Sequence, residues 1–175
     1  MTPIVQISRI FTSGACLGHG DPTPGFALDF EPLVAEDLER YLRHVGWLQA
    51  DLLAQVHDLS PEQLAADPPA GGRSLYRILE HVAESDAVYL RYLVGPVNDL
   101  AEARREVREG PQGVVSALAQ MWEITRTRFA GLTAAERAQL VPHGQVTWTA
   151  RRAVRRILEH EWEHLQEIEA RLEEY

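Results

Sequence analysis

The chain has no lysine and only one cysteine, Cys16. A single cysteine cannot close an intrachain disulfide, so nothing points to an oxidising compartment, and a cytoplasmic location is expected. Long apolar runs are missing as well. Residues 4–16 are interrupted by Gln6 and Arg9 and lack the apolar stretch of a signal peptide, and no segment approaches the length needed to span a bilayer. Positive charge is scarce: seventeen arginines against 26 Asp and Glu leave a net charge of -9, which repels phosphate backbones. The one dense basic run, Arg151, Arg152, Arg155 and Arg156, gives way at once to acidic residues. Neither nucleic acid nor a membrane is an expected partner.

What is present suits one globular domain. The 175 residues are 45% apolar and 25% charged, enough to build a single core and too few for two ordinary domains. Residues 1–30 mix Gly, Pro and short apolar pieces with no sustained period and read as an N-terminal arm, extended or partly ordered. From residue 31 to 175 the pattern is helical. Leu38, Leu42, Val45, Leu48, Leu52 and Val56 recur at three and four residues, as one face of a long first helix requires. Ser60-Pro61-Glu62-Gln63 predicts a capped short turn, and Ser74 a cap for a second long helix over 75–94. Gly95-Pro96 stops it, and a charged connection leads to a third helix over roughly 112–130. Thr133 and Glu136 form another capping box. A loop past Trp148 then leads to Thr149, the cap of a fourth helix that runs almost to Tyr175.

A short duplication organises these elements. Arg77-Ile78-Leu79-Glu80-His81 recurs as Arg156-Ile157-Leu158-Glu159-His160, each preceded by a Leu-Ser or Leu-Thr capping turn and a proline-bearing loop. Two helical hairpins of this kind can pack about a pseudo-twofold axis into an all-α, four-helix bundle in which the second and fourth helices carry equivalent positions.

The chemistry sits at those positions. A helix advances about 100° per residue, so His160 and His164 share one face a turn apart, beside the apolar arc of Val154, Ile157, Leu165 and Ile168. His81 occupies the corresponding shoulder of the second helix, and Ser85 aligns with His164. Three imidazoles and one short hydroxyl corner suit a divalent ion with an open coordination position, with zinc favoured and nickel or iron also compatible. The competing reading is a satisfied polar cluster with no ion. His160-Glu161-Trp162-Glu163-His164 also matches the zinc-peptidase pattern H-E-x-x-H, but the chain has little room for a downstream Glu ligand, and the extended motif fails at Glu167 and Ala170. Glu161 falls within the apolar arc, where an unpaired carboxylate is costly, so a partner is implied. It is the candidate for proton management or for orienting a ligand, against a side chain that bends out to solvent. Asp86 is placed similarly on the second helix and draws no assigned role. His44, His57 and His143 lack partners at ligand spacing, Cys16 and His19 fall in the arm, and the four tryptophans read as core or interface anchors.

With Gly71-Gly72-Arg73-Ser74 opening the second helix, Ile78-Leu79-Glu80-His81 within it and His160 and His164 near the end, the chain resembles the DinB-like superfamily of four-helix metalloproteins, which includes the YfiT-like proteins. The resemblance runs from about residue 32 to 175. It implies an up-down-down-up bundle, commonly a homodimer, in which His81, His160 and His164 surround zinc, nickel or a similar ion. Some such proteins are transferases or isomerases that use a low-molecular-weight thiol, bacillithiol or mycothiol. Two functions therefore stand side by side. One is a metal-dependent thiol S-transferase, or a related hydrolase or isomerase, acting on a small electrophilic substrate. The other is a metal-stabilised binding or stress-response module without turnover.

Overall fold

Four hydroxyl side chains mark where helices begin in the computed structural model, which describes residues 26–69, 71–144 and 146–173. Ser60, Ser74, Thr133 and Thr149 each accept a hydrogen bond from the backbone N–H three residues on. Each thereby satisfies a donor that the first helical turn leaves without a partner. The helices that follow are α2 (Pro61–Ala65), α3 (Leu75–Val94), α6 (Ala134–Ala138) and α7 (Ala150–Leu172), with α1 (Ala35–Val56), α4 (Asn98–Arg108) and α5 (Val114–Ala130) completing the set. The protein is mostly helical, as expected. At the end of α3, Gly95 takes φ +79°, a conformation that side chains with a Cβ rarely adopt, and donates its N–H back to Arg91 before Pro96 turns the chain away.

The four long helices bury the faces their periods specify. Leu38, Val45, Leu52 and Val56 of α1 meet Ile78, Leu79, Val82 and Leu90 of α3, Leu118, Met121, Trp122 and Phe129 of α5, and Val154, Ile157, Leu165 and Ile168 of α7 in one core. Cross-helix bonds set their directions. Asp37 accepts from Arg151 at 2.9 Å and Gln49 donates to Glu161 at 2.8 Å, so α1 and α7 run parallel. Arg73 reaches Glu167 while Tyr89 stacks on Trp148, so α3 and α7 run antiparallel.

Three segments differ from the sequence expectation or refine it. The charged connection after α3 contains α4, whose Leu100, Ala103 and Val107 bury a narrow apolar stripe under Arg and Glu side chains. Three buried apolar positions in eleven residues are too few for the period to stand out, and tertiary contacts supply the rest. Tyr76 donates to the Val107 carbonyl, and Glu84 pairs with Arg104 and Arg108. The loop before α7 is a small antiparallel hairpin of β1 (Val141–His143) and β2 (Val146–Trp148). Of the arm, residues 26–30 are described: Ala27–Phe30 form a 3-10 turn whose buried Asp29 accepts two bonds of 2.8 Å from Arg155. Arg151 donates to the Pro32 carbonyl and Thr149 to that of Asp29. The basic run thus fastens the chain's entry to the start of α7. Expectations for Cys16 and His19 lie outside the described residues.

At the centre of the bundle sits a polar knot to which all four long helices contribute. Glu161 and Asp86 are fully buried and close enough to raise each other's cost of ionising, with Gln49 donating to Glu161 and Trp122 Nε1 donating to Asp86 at 3.0 Å. Burial pushes Asp86 up to about 7 and Glu161 well above the usual carboxylate range, the latter helped by the charge of Asp86. Glu161 Oε2 and Asp86 Oδ1 have no hydrogen-bond partner among the described residues. One proton held between them satisfies both and removes the second negative charge. The native pair keeps that proton above pH 4.5, where an unfolded Glu releases it, so the pair's contribution to stability falls as pH rises. Glu161→Gln removes the retained proton and keeps a donor toward Asp86. Its stability relative to wild type, read from denaturant midpoints in metal-free protein, is expected to rise between about pH 5 and 7 by up to ~1.4 kcal/mol per pH unit.

Candidate metal centre

The antiparallel pairing of α3 and α7 brings the three sequence-predicted ligands together. His160 and His164 project from α7 one turn apart, and His81 meets them from α3. His160 Nε2 lies 3.2 Å from His81 Nε2 and 3.1 Å from His164 Nε2. His160 and His164 are buried and His81 is half-buried, so solvent reaches the group from the His81 side. Among the described residues this is the one group of three or more His, Cys, Asp or Glu whose donor atoms lie close enough together to hold a metal ion.

The donor set fits a cation. Tetrahedral bonds of about 2.0–2.1 Å separate neighbouring ligand nitrogens by roughly 3.3 Å, close to the spacings found. Burial pushes the His160 imidazole down to about 2, assisted by the charges of His164 and His81, and burial likewise lowers His81. Both rings are therefore neutral at ordinary pH. His164 Nδ1 lies 2.7 Å from the Glu167 carboxylate, a hydrogen-bond acceptor, and its Nε2 lies 3.1 Å from His160 Nε2. His160 Nδ1 is buried without a partner, so protein hydrogen bonds alone cannot satisfy both of its nitrogens.

Other candidates are placed apart. Glu161 is one residue from His160 but about 100° around the helix, and its carboxyl faces Gln49 and Asp86 in the core. It has the partner that its position on the helix demanded. Ser85 is half-buried a turn beyond His81. His57 is exposed, His44 is half-buried against the exposed Trp47, and His143 packs at a tilt on Tyr92 with ring centres 4.1 Å apart. Trp122 and Trp148 are buried, whereas Trp47 and Trp162 are exposed.

Two residues beside the site escaped sequence reasoning. Glu167 touches His164, and Arg73 holds Glu167 with two bonds, Nε to Oε1 at 3.2 Å and Nη2 to Oε2 at 2.6 Å. Burial tends to raise Glu167, but the bonds from His164 and Arg73 outweigh it and hold the carboxyl below its ordinary range. The available signal was local: Glu167 is three residues from His164, a helical neighbour, and Arg73 lies in the Gly-Gly-Arg-Ser stretch. Tyr89 adds an edge-on ring contact to His160, centre to centre 6.0 Å.

In metal-free protein, His160 is expected to stay neutral from pH 8 down to about 4 while the fold persists, because its burial resists the charge. An NMR titration of its ring nitrogens checks this, and protonation near pH 6.5 would contradict it.

A family model described as the DinB superfamily matches residues 33–168. No curated protein and no solved structure matches the chain. The matched stretch contains His81, His160, His164, Arg73 and Glu167 and covers well over half of the sequence, and the chain belongs to the DinB superfamily.

Proposed function

We propose that the protein is a metal-dependent enzyme in which His81, His160 and His164 hold one divalent ion, zinc or nickel, and which transfers a low-molecular-weight thiol to a small electrophile or catalyses a related hydrolysis or isomerisation. The observation that carries this reading is the convergence of three imidazole Nε2 atoms, two of them buried, on a point open on the His81 side. All-imidazole ligation suits zinc and nickel and leaves room for an exchangeable ligand. When bound, the ion would act as a Lewis acid that lowers the pKa of a thiol or water near neutrality.

The chain's own residues prepare that chemistry. Burial keeps His160 neutral, so its lone pair is available without the loss of a proton. The buried rings of His160 and His164, with Tyr89 edge-on behind His160, exclude water from one side, and the half-buried His81 leaves the other accessible. Glu161 was the sequence candidate for moving protons. Its pairing with Gln49 and Asp86 favours a different contribution, holding α1, α3, α5 and α7 in register behind the ligands.

The reading extends to the whole assembly. The parallel α1–α7 pair and antiparallel α3–α7 pair support an up-down-down-up bundle of two related hairpins. A homodimer follows from the family resemblance, and a cytoplasmic location from the cysteine usage. No helix among the described residues is long and apolar enough to cross a membrane.

Wild-type protein is expected to bind one zinc or nickel ion per chain, and His160→Ala to lose metal and turnover together, in a metal-loaded screen of thiol cofactors against electrophiles. Full turnover in chelator-treated protein would contradict the reading, and tight binding with no turnover across the screen would favour the non-catalytic module. Glu161→Gln is expected to retain the ion and to change the rate by less than tenfold. A loss of about 10²–10⁴-fold would restore Glu161 as a general base.

A further inference from the structure

The three candidate ligands are not held alike. Among the described residues His160 Nδ1 is buried with no partner, and His81 makes its hydrogen-bond contact through Nε2, to His160. Of the three, His164 alone has a carboxylate behind it among the described residues, with Nδ1 2.7 Å from Glu167 Oε2. That carboxylate is itself clamped by Arg73, which uses both Nε and Nη2. A bidentate guanidinium fixes the plane of a carboxylate as well as its charge. The loop that delivers Arg73 also requires a glycine: Gly72 has φ +105°, and the Arg171 guanidinium lies where a Cβ would stand. A larger residue there would have to displace Arg171 and adopt a strained backbone.

We infer that Arg73 and Glu167 form a positioning relay that locks His164 as its Nδ1–H tautomer, so that its Nε2 lone pair faces the site before any ion arrives and His164 is the anchoring ligand of the three. An imidazole free to choose its tautomer presents an N–H to an incoming cation part of the time and must rearrange first. A ring whose Nδ1–H is committed to a carboxylate does not, and the carboxylate also raises the basicity of the nitrogen opposite. The Gly71-Gly72-Arg73-Ser74 stretch then has two tasks: Ser74 caps α3, which carries His81, and Arg73 reaches across to α7 to fix His164. One loop thereby places ligands on both helices.

The inference rests on the metal reading above, and the test separates the two because the tautomer is read without metal. Ring nitrogens of the full-length, metal-free protein are observed by long-range ¹H–¹⁵N NMR in wild type, Glu167→Gln, Glu167→Leu and Arg73→Met. Zinc affinity is measured on the same proteins by chelator competition. Wild type is expected to show His164 as a single Nδ1–H tautomer. Glu167→Leu should show a mixture and a loss in zinc affinity of about 10–100-fold. Glu167→Gln, whose amide oxygen still accepts from Nδ1, should lie between, and serves alone if the leucine variant does not fold. Arg73→Met should retain the tautomer more fully than Glu167→Leu, and a simple ion pair that only pinned the loop would leave the tautomer unmoved in every variant. An unchanged tautomer or unchanged zinc affinity in folded Glu167→Leu, or a mixed tautomer in wild type, would overturn the relay. Wild type that holds no zinc with His164 still locked would overturn the metal reading and leave the lock standing.

Discussion

His160 Nε2 lies within hydrogen-bonding distance of both His81 Nε2 and His164 Nε2, and a neutral ring has only one N–H with which to serve its two nitrogens. His164 Nδ1 faces the Glu167 carboxylate, and among the described residues His160 has no partner for its outer nitrogen wherever its own proton sits. Left to themselves, such groups would splay apart or turn to solvent. They stay because the helices that carry them are fixed by other forces: the core along α3 and α7, the caps at Ser74 and Thr149, and the Arg73–Glu167 clamp. A cation held by the three rings would meet the demand of their nitrogens.

The register that places the histidines is itself held by polar contacts set in an apolar core. Gln49, Asp86, Trp122 and Glu161 come one from each long helix, and sliding any one helix by a turn would break a buried hydrogen bond. Unpaired buried polar groups cost about 1–3 kcal/mol each, more when charged, so the knot penalises wrong registers more than it stabilises the right one. At the other end of α7, Arg151 and Arg155 fasten the entry turn through Asp37, Asp29 and the Pro32 carbonyl. Position along α7 is thus specified at both levels, and His160 and His164 inherit it.

Much of this was legible because it depends on local rules. Ser60, Ser74, Thr133 and Thr149 act as caps because a hydroxyl before a helical period has few other uses. The repeated Ile-Leu-Glu-His marked His81 and His160 as equivalent, and the helical period put His164 beside His160. The burial of Glu161 was also readable, though its partners Gln49 and Asp86 were not, since they lie 112 and 75 positions away with no local pattern linking them. For the same reason Arg73 and Glu167 were missed, being joined across 94 positions by contact alone. Helix α4 was hidden by its charge, and the β1–β2 hairpin by its brevity, three residues a strand. Elements held by tertiary contacts leave the weakest trace in sequence.

The central claim is that one divalent ion sits on three imidazoles and on no sulfur of the chain. X-ray absorption spectroscopy of the zinc- or nickel-loaded protein, prepared without added thiol, addresses it directly. The account predicts a first shell of light atoms at about 2.0–2.1 Å for zinc, with outer-shell scattering from three imidazole rings. A sulfur shell near 2.3 Å, which would implicate Cys16, or scattering from fewer than three imidazoles, would contradict it.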